Sequence, residues 1–305
     1  MLRLNRREFL AGTAAAGLLK VSGLSWADDD AMIRKIIPSS DEALPIIGLG
    51  TSRVFNVDGS AEQLEPLRMV VQELVAGGGS VIDTAPSYGP AEAVVGDLVS
   101  GLEQPGKVFL ATKVAASGEQ AGRRQIMNSF RVLKTEVVDL FQVHNLRDTK
   151  TQLGLLRELR QEGKIRYIGI THYVDSQHDE LADWIMREPV DFVQLNYSIG
   201  DRAAEKTLLS LCADKGIATM INRPFERGRL FGRVRGKTVP DWAADFDCHS
   251  WGQFFLKYIA AHPAVTNIIP ATANPHHMLD NVQAGKGRLP DASQQQRMIR
   301  FFDNL

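Results

Sequence analysis

Cysteine is nearly absent. Cys212 and Cys248 are the only two in 305 residues, too few for a disulfide scaffold or a cysteine-built metal centre. An excess of one charge is absent too. The 35 Lys and Arg balance 36 Asp and Glu, net −1, which removes the electrostatic footprint of a nucleic-acid binder. The main apolar tract at the start, Phe9 to Leu19, is interrupted by Lys20 and is far short of the ~20 residues that span a bilayer. Gly 26 and Pro 13 are ordinary amounts, so collagen-like and linker-rich chains are excluded. The glycine-rich turn expected after an early strand of a doubly wound nucleotide-binding sheet is also missing. The candidate Gly77-Gly78-Gly79 follows a helical pattern and precedes a strand, so it reads as a helix stop. What remains is 44% hydrophobic and 23% charged, enough to bury the core of one large domain.

The first residues carry a different message. Arg3, Arg6 and Arg7 give a basic start, a weakly apolar tract follows, and Ser25-Trp26-Ala27 offers small residues before a cut after Ala27. The Asn5-Arg6-Arg7-Glu8-Phe9-Leu10 run resembles the twin-arginine export signal, a receptor-read address rather than an anchor. The expectation is a signal peptide over 1–27 and a body over 28–305. The protein would be soluble and periplasmic or otherwise exported. It would engage the twin-arginine machinery without stable membrane insertion. Removing 1–27 takes away four basic residues and one acid, leaving a mildly acidic body.

That body alternates. Eight short apolar runs recur: Ile46–Leu49, Val81–Ile82, Val108–Ala111, Leu140–Val143, Tyr167–Ile170, Phe192–Leu195, Ala218–Ile221 and Thr266–Ile269. Between them lie stretches of helical spacing, such as Leu67, Val70, Val71 and Leu74. Eight strands alternating with helices over ~240 residues predict an α/β fold, a (β/α)8 TIM barrel in a single domain. Strands covered on both faces explain the absence of clean polar alternation. Met298, Ile299, Phe301 and Phe302 predict a last short helix packed on the barrel.

A barrel of this kind places its chemistry where strands run into their following loops. Asp83 ends the second run and Tyr88 follows it; Lys113, His144, Thr171, Gln194, Asn222 and Thr272 end later ones. A lysine at a barrel mouth needs a carboxylate partner, because an unpaired buried charge is costly. Asp83 is that partner for Lys113. A cation beside Tyr88 is expected to lower its pKa and make it a proton donor near neutral pH. His144 would donate to the same substrate oxygen. None of these groups carries hydride, so a nicotinamide cofactor is implied.

The ordered set resembles the aldo-keto reductase superfamily. It rests on IDTAPSYG with Asp83 and Tyr88, ATK with Lys113, DLFQVH with His144, then GKIRYIGIT, FVQLNYS and IIPATANPHHMLDN, over roughly residues 44–284. The resemblance implies reversible NAD(P)H-dependent reduction of aldehydes or ketones by a monomer with no metal. Tyr88 would be the general acid, Lys113 and Asp83 its activators, and His144 the group that orients the carbonyl. The implied cofactor contacts are Thr171, His172, Gln194, Asn222, Arg223, Thr272, Asn274 and His277. NADP(H) is the family default ahead of NAD(H).

The chain departs from the pattern in places. Thr171-His172 stands where Ser-Asn is common, and Asn222 where an aromatic ring often stacks on the nicotinamide. Phe225 is a candidate replacement ring. Ala271, Asn274 and His277 make the 2′-phosphate region less cationic than usual. These departures sustain an alternative, a nicotinamide-binding sensor or auxiliary subunit with little turnover. His276-His277 has no third ligand and predicts no metal. Phe231 and Trp242 are candidates for an apolar wall of the pocket or equally for plain packing, and the substrate is otherwise a small carbonyl compound.

Overall fold

The computed structural model describes residues 31–305; the expected signal segment, residues 1–27, lies outside them. An antiparallel hairpin, β1 (Arg34–Ile36) and β2 (Ala43–Pro45), comes first. Strand and helix then alternate: β3 (Leu49–Gly50), α1 (Ala61–Ala76), β4 (Val81–Asp83), α2 (Ala91–Ser100), β5 (Phe109–Val114), α3 (Glu119–Leu133), β6 (Val138–His144), α4 (Thr149–Gln161), β7 (Ile165–Thr171), α5 (His178–Arg187), β8 (Phe192–Asn196), α6 (Leu208–Asp214) and β9 (Ala218–Asn222). Two helices, α7 (Arg229–Arg233) and α8 (Trp251–Ala260), precede β10 (Asn267–Ile268), and α9 (Pro275–Ala284) and α10 (Ala292–Asp303) end the chain.

Strands β3 to β10 pair in chain order and all in parallel. Parallel bridges Ile47–Ile268 and Gly50–Ala271 join the two outer strands, so the sheet closes into a (β/α)8 barrel. Each of the eight apolar runs in the sequence falls on one of these strands. The hairpin was not among them, because three-residue strands leave no readable period.

The helices form where the spacing placed them. Helix α1 buries Leu67, Val70, Val71 and Leu74 on one face. It stops at Gly77, and Gly78 then turns the chain at φ +90°, with Met32 Cβ only 3.0 Å from where a side chain would begin. Helix α10 starts with a capping box between Asp291 and Gln294 and buries Met298 and Phe302.

Two apolar layers sandwich the strands. Ile82, Phe141, Ile168, Val193 and Ile221 face outward into the core shared with the helices. Val81, Phe109, Leu140, Tyr167, Phe192, Ala218 and Met220 form a second cluster in the barrel interior, joined by Ile37 and Leu44 of the hairpin region. The inward set follows period two along each strand: Phe109, Ala111, Lys113 on β5 and Leu140, Gln142, His144 on β6. That alternation carries each strand from an apolar start to a polar end. Trp242 does not belong to the pocket wall. It packs in the helical shell against Phe246, Phe254 and Phe301, with Arg297 over its ring, because its short helical segment lies over α8 and α10.

Candidate active site

Asp83 is the last residue of β4 and Lys113 lies near the end of neighbouring β5, both facing inward. The lysine is 0% exposed and the aspartate 2%. Lys113 Nζ donates to Asp83 Oδ1 and Oδ2 at 2.7 and 2.6 Å and to the Thr84 carbonyl at 2.9 Å. All three ammonium protons therefore have an acceptor, the condition for holding a charge out of water. Asp83 Oδ1 also accepts from Gln142 Nε2 at 3.3 Å and Gln194 Nε2 at 2.8 Å. The carboxylate is thus fixed from β5, β6 and β8 together.

Tyr88 stands over this pair on the loop between β4 and α2. Lys113 Nζ lies 5.3 Å from its ring centre. The ring of His144, at the end of β6, meets Tyr88 edge-on, with centroids 5.8 Å apart and planes at 85°. Both line one cavity of about 940 Å³, which is within the range of small-molecule and cofactor sites. The structure brings the four expected residues together: Asp83, Tyr88 and His144 on the cavity wall, Lys113 directly beneath.

The electrostatics correct one expectation. The Tyr88 phenol is held above its ordinary value, not below it. Burial is the main cause; Lys113 pulls it down, but Asp83 pushes it up and cancels part of that pull. Tyr88 is therefore a phenol at neutral pH, with its proton still to give. Burial lowers Lys113, but Asp83 and Tyr88 outweigh it, so the group stays ammonium. His144 is driven down to about 3 by burial and then by Lys113 and His172. Its ring is neutral across the physiological range.

The remaining expected residues divide. Thr171, Gln194, Asn222, Arg223, Thr272 and His277 line the cavity. His172 does not. It stacks on Tyr173 at 5.3 Å, and its carbonyl accepts from Asn222 Nδ2 at 3.1 Å. Asn274 does not line it either: its side chain caps α9, accepting from the His276 amide at 2.9 Å. Asn before Pro at the first helical position was a readable cap signal. Phe225 and Phe231 both line the cavity and pack on each other at 5.0 Å.

Further residues line the wall; of these, only Arg227 stands out in the sequence, crowding the same loop as Arg223. Ser87 Oγ lies 3.2 Å from His144 Nδ1. Arg53, after β3, and Arg227, after β9, join Arg223 on the wall, and the three repel one another enough to lower Arg223 below its ordinary value, after burial. Arg223 stacks on Tyr173 with its guanidinium 4.0 Å from the ring centre. Asp280 also lines the cavity, held by Ser250 Oγ at 2.6 Å and Gln253 Nε2 at 2.8 Å. No signal in the sequence could place Asp280 there, since its neighbours come from α8.

The wall fits a nicotinamide dinucleotide. Asn222 Oδ1 is a buried acceptor without a partner, as a carboxamide amine requires. The three arginines make no ion pair among the described residues, as an anionic diphosphate requires. No group of His, Cys, Asp or Glu among the described residues could hold a metal ion.

The chain resembles known proteins in sequence and fold. Residues 46–297 match the Aldo/keto reductase family. The chain is 30% identical over 192 residues to the NADH-specific methylglyoxal reductase of Escherichia coli (strain K12), covering 54% of this chain and 58% of that one. It is 30% identical over 207 residues to aldo-keto reductase YhdN of Bacillus subtilis (strain 168), covering 62% and 60%. The chain thus spans about three fifths of the length of these two relatives. Methylglyoxal reductase YeaE of E. coli (strain K12) is 30% identical over 253 residues, with 80% and 86% covered. Among solved structures, an aldo-keto reductase from Klebsiella pneumoniae in complex with NADPH superposes with a TM-score of 0.72 at 26% identity, covering 89% of this chain and 96% of that one. A match over most of the described residues, with the same barrel, settles the kinship: the chain belongs to the aldo/keto reductase family.

Proposed function

We propose that the protein reduces small aldehydes or ketones to alcohols, reversibly, with a nicotinamide cofactor. The observation that carries this reading is the convergence of Tyr88, His144 and the Lys113–Asp83 pair at one end of one cavity. Reduction of a carbonyl adds hydride at carbon and a proton at oxygen. Bound NAD(P)H supplies the hydride. Tyr88 supplies the proton from its hydroxyl, and the phenolate left behind is stabilised by Lys113, whose ammonium is held in place by Asp83 and the Thr84 carbonyl. Neutral His144 donates a second hydrogen bond to the same oxygen and fixes the carbonyl against Tyr88. In the oxidative direction Tyr88 takes the proton back.

Thr171, Gln194 and Asn222 would hold the nicotinamide carboxamide, and Arg223 with Arg53 and Arg227 the diphosphate. Around α9 the wall offers His277 and Asp280 and no lysine or arginine. A 2′-phosphate prefers arginine or lysine there. In this reading both NADPH and NADH serve, with affinities within about tenfold of each other, a gap of ~1.4 kcal/mol. Two relatives are named methylglyoxal reductases, and a small dicarbonyl of that kind is the first substrate to try. The export address over residues 1–27 places the reaction outside the cytoplasm in this reading, and fractionation of cells making the full chain checks it.

The test is to follow reduced-nicotinamide absorbance with the full chain and methylglyoxal, in parallel with Tyr88→Phe. The substitution is expected to reduce kcat by about 10²–10⁴-fold, the usual share of a general acid, while cofactor affinity stays the same. Equal turnover by both proteins overturns the role of Tyr88.

A further inference from the structure

Ser87 lies beside Tyr88, on the loop whose next turn leads into α2. Its Oγ is 3.2 Å from Nδ1 of His144. No other protein group hydrogen-bonds either ring nitrogen of His144 among the described residues. One nitrogen is therefore tied to the loop, and the other is left for the cavity that His144 lines. The ring is otherwise well fixed. It ends β6, paired in register with Thr171 of β7, and is 8% exposed. The two residues after it, Asn145 and Leu146, are both left-handed at φ 52° and 54°, a strained turn that ends the strand at this side chain.

A neutral imidazole carries one proton, on one nitrogen or the other, and the partner of each nitrogen decides which. A carbonyl oxygen offers only lone pairs, so a useful His144 must present Nε2–H to it. With the proton on Nδ1, Nε2 would point a lone pair at the oxygen, and Tyr88 would be the only donor there. A serine hydroxyl can donate or accept. Ser87 is exposed, and its hydroxyl makes no other hydrogen bond among the described residues. Once Nε2–H is turned to the carbonyl oxygen, Nδ1 carries a lone pair, and the Ser87 hydroxyl is the group placed to donate to it. Resting on the reductase reading above, we propose that Ser87 is the positioning residue of the site, its hydroxyl donating to His144 Nδ1 and holding the proton on Nε2, where the carbonyl oxygen binds.

The experiment compares the full chain with Ser87→Ala and Ser87→Thr. The first readout is ¹⁵N NMR of histidine-labelled protein without cofactor, the His144 signals being assigned by their loss in His144→Gln. Wild type is expected to show a protonated Nε2 and a hydrogen-bonded, unprotonated Nδ1. Ser87→Ala is expected to show a mixture of both tautomers, and Ser87→Thr the wild-type pattern. The second readout is kinetic. Loss of one neutral hydrogen bond predicts a fall in kcat of about tenfold in Ser87→Ala, with cofactor Kd unchanged and recovery in Ser87→Thr to within about twofold of wild type. A wild-type ring protonated on Nδ1 overturns the proposal. So does a Ser87→Ala protein with unaltered tautomer and kcat, or one whose only change is a lower melting temperature. Failure of the reductase reading looks different: wild type would turn over no carbonyl, while the tautomer would still be read by NMR.

Discussion

At the amino end of the barrel the strands begin in aromatic and aliphatic residues; four residues further along the same strands they end in polar groups. Phe109 leads to Lys113, and Leu140 to His144. The amino end is closed. The β1–β2 hairpin covers it, and Glu42 accepts from Tyr167 Oη at 2.7 Å and from Arg166, which also pairs with Asp139. The carboxyl end is open and conformationally strained. Among the described residues, seven of the ten non-glycine residues with left-handed backbone, Arg53, Asn145, Leu146, Asp148, Arg223, Glu226 and Arg227, follow β3, β6 and β9 there, at a cost on the order of 1 kcal/mol each. The sealed end stabilises the barrel, and that stability lets the other end keep unpaired arginines, an orphan amide oxygen and a strained turn ready for a ligand.

The comparison is broken most severely where the open end also carries stability. Lys113→Met leaves the Asp83 carboxylate buried without its cation. Unfolding free energy is expected to drop by about 3–5 kcal/mol, and kcat by about 10²–10⁴-fold, read by denaturant unfolding and by turnover. Adding Asp83→Leu to Lys113→Met removes the stranded charge, so stability should return in part while activity does not. A single variant as stable as wild type would show that the pair contributes nothing to folding.

The sealed end should give the opposite pattern. Phe192 is fully buried in the inner cluster, 6.1 Å from Phe109 and 5.7 Å from Tyr167 by ring centroid. Phe192→Ala is expected to cost about 3–5 kcal/mol of stability through lost contacts and a cavity, with kcat per folded molecule within about twofold of wild type. A large loss of kcat at full folding would mean that the two ends are mechanically coupled.

What the sequence disclosed follows the same division. Apolar runs located all eight barrel strands, since a strand covered on both faces is apolar throughout. For the same reason they hid which residues point inward, and with them Gln142, whose amide braces Asp83. Motif order brought Asp83, Tyr88, Lys113 and His144 to one mouth. It could not weigh burial against charge, so the direction of the Tyr88 shift was misjudged: desolvation depends on packing that no spacing encodes. For Trp242 the sequence leaves pocket wall and plain packing equally open, and packing holds, because its partners Phe254 and Phe301 lie on helices that only the fold brings together. His172 stands where an amide is common and cannot copy one; its ring stacks on Tyr173 and does not line the cavity. Ser87 was in view and passed over, since only folding brings β6 beside it.

A smaller effect sharpens the comparison along the pH axis. The unfolded chain protonates His144 near the ordinary histidine value of about 6.5, whereas the folded chain resists until about 3. Between these values the unfolded state binds more protons, so acid favours unfolding. The stability that neutral His144 contributes is complete above about pH 6.5 and is lost progressively as pH falls towards 3. By pH 4.5 the loss is on the order of 2–3 kcal/mol. Between pH 7 and 4 the melting temperature of wild type should fall more steeply than that of His144→Gln. Parallel curves would contradict the buried neutral ring. Over pH 5 to 8 kcat should show no inflection from this group.

The smallest expected effect separates the two kinds of arginine in the molecule. Arg160, on the outer face, is paired with Asp191 at 3.0 Å and is screened by solvent. Arg223, at the open end, is half-buried against Tyr173 and makes no ion pair among the described residues. If that guanidinium is kept free for a diphosphate, Arg223→Ala weakens NADPH and NADH alike, by about tenfold in Kd, as loss of one charge-assisted hydrogen bond implies. Fluorescence titration at two salt concentrations checks it. Wild-type affinity should fall with salt, and the variant's less steeply, because one cation fewer faces the ligand. Arg160→Ala should leave both affinity and salt slope unchanged. If the two variants behave alike, the unpaired arginines at the mouth are ordinary surface charge. The strain in the loop after β9, which holds Arg223 and Arg227 left-handed, would then need another explanation.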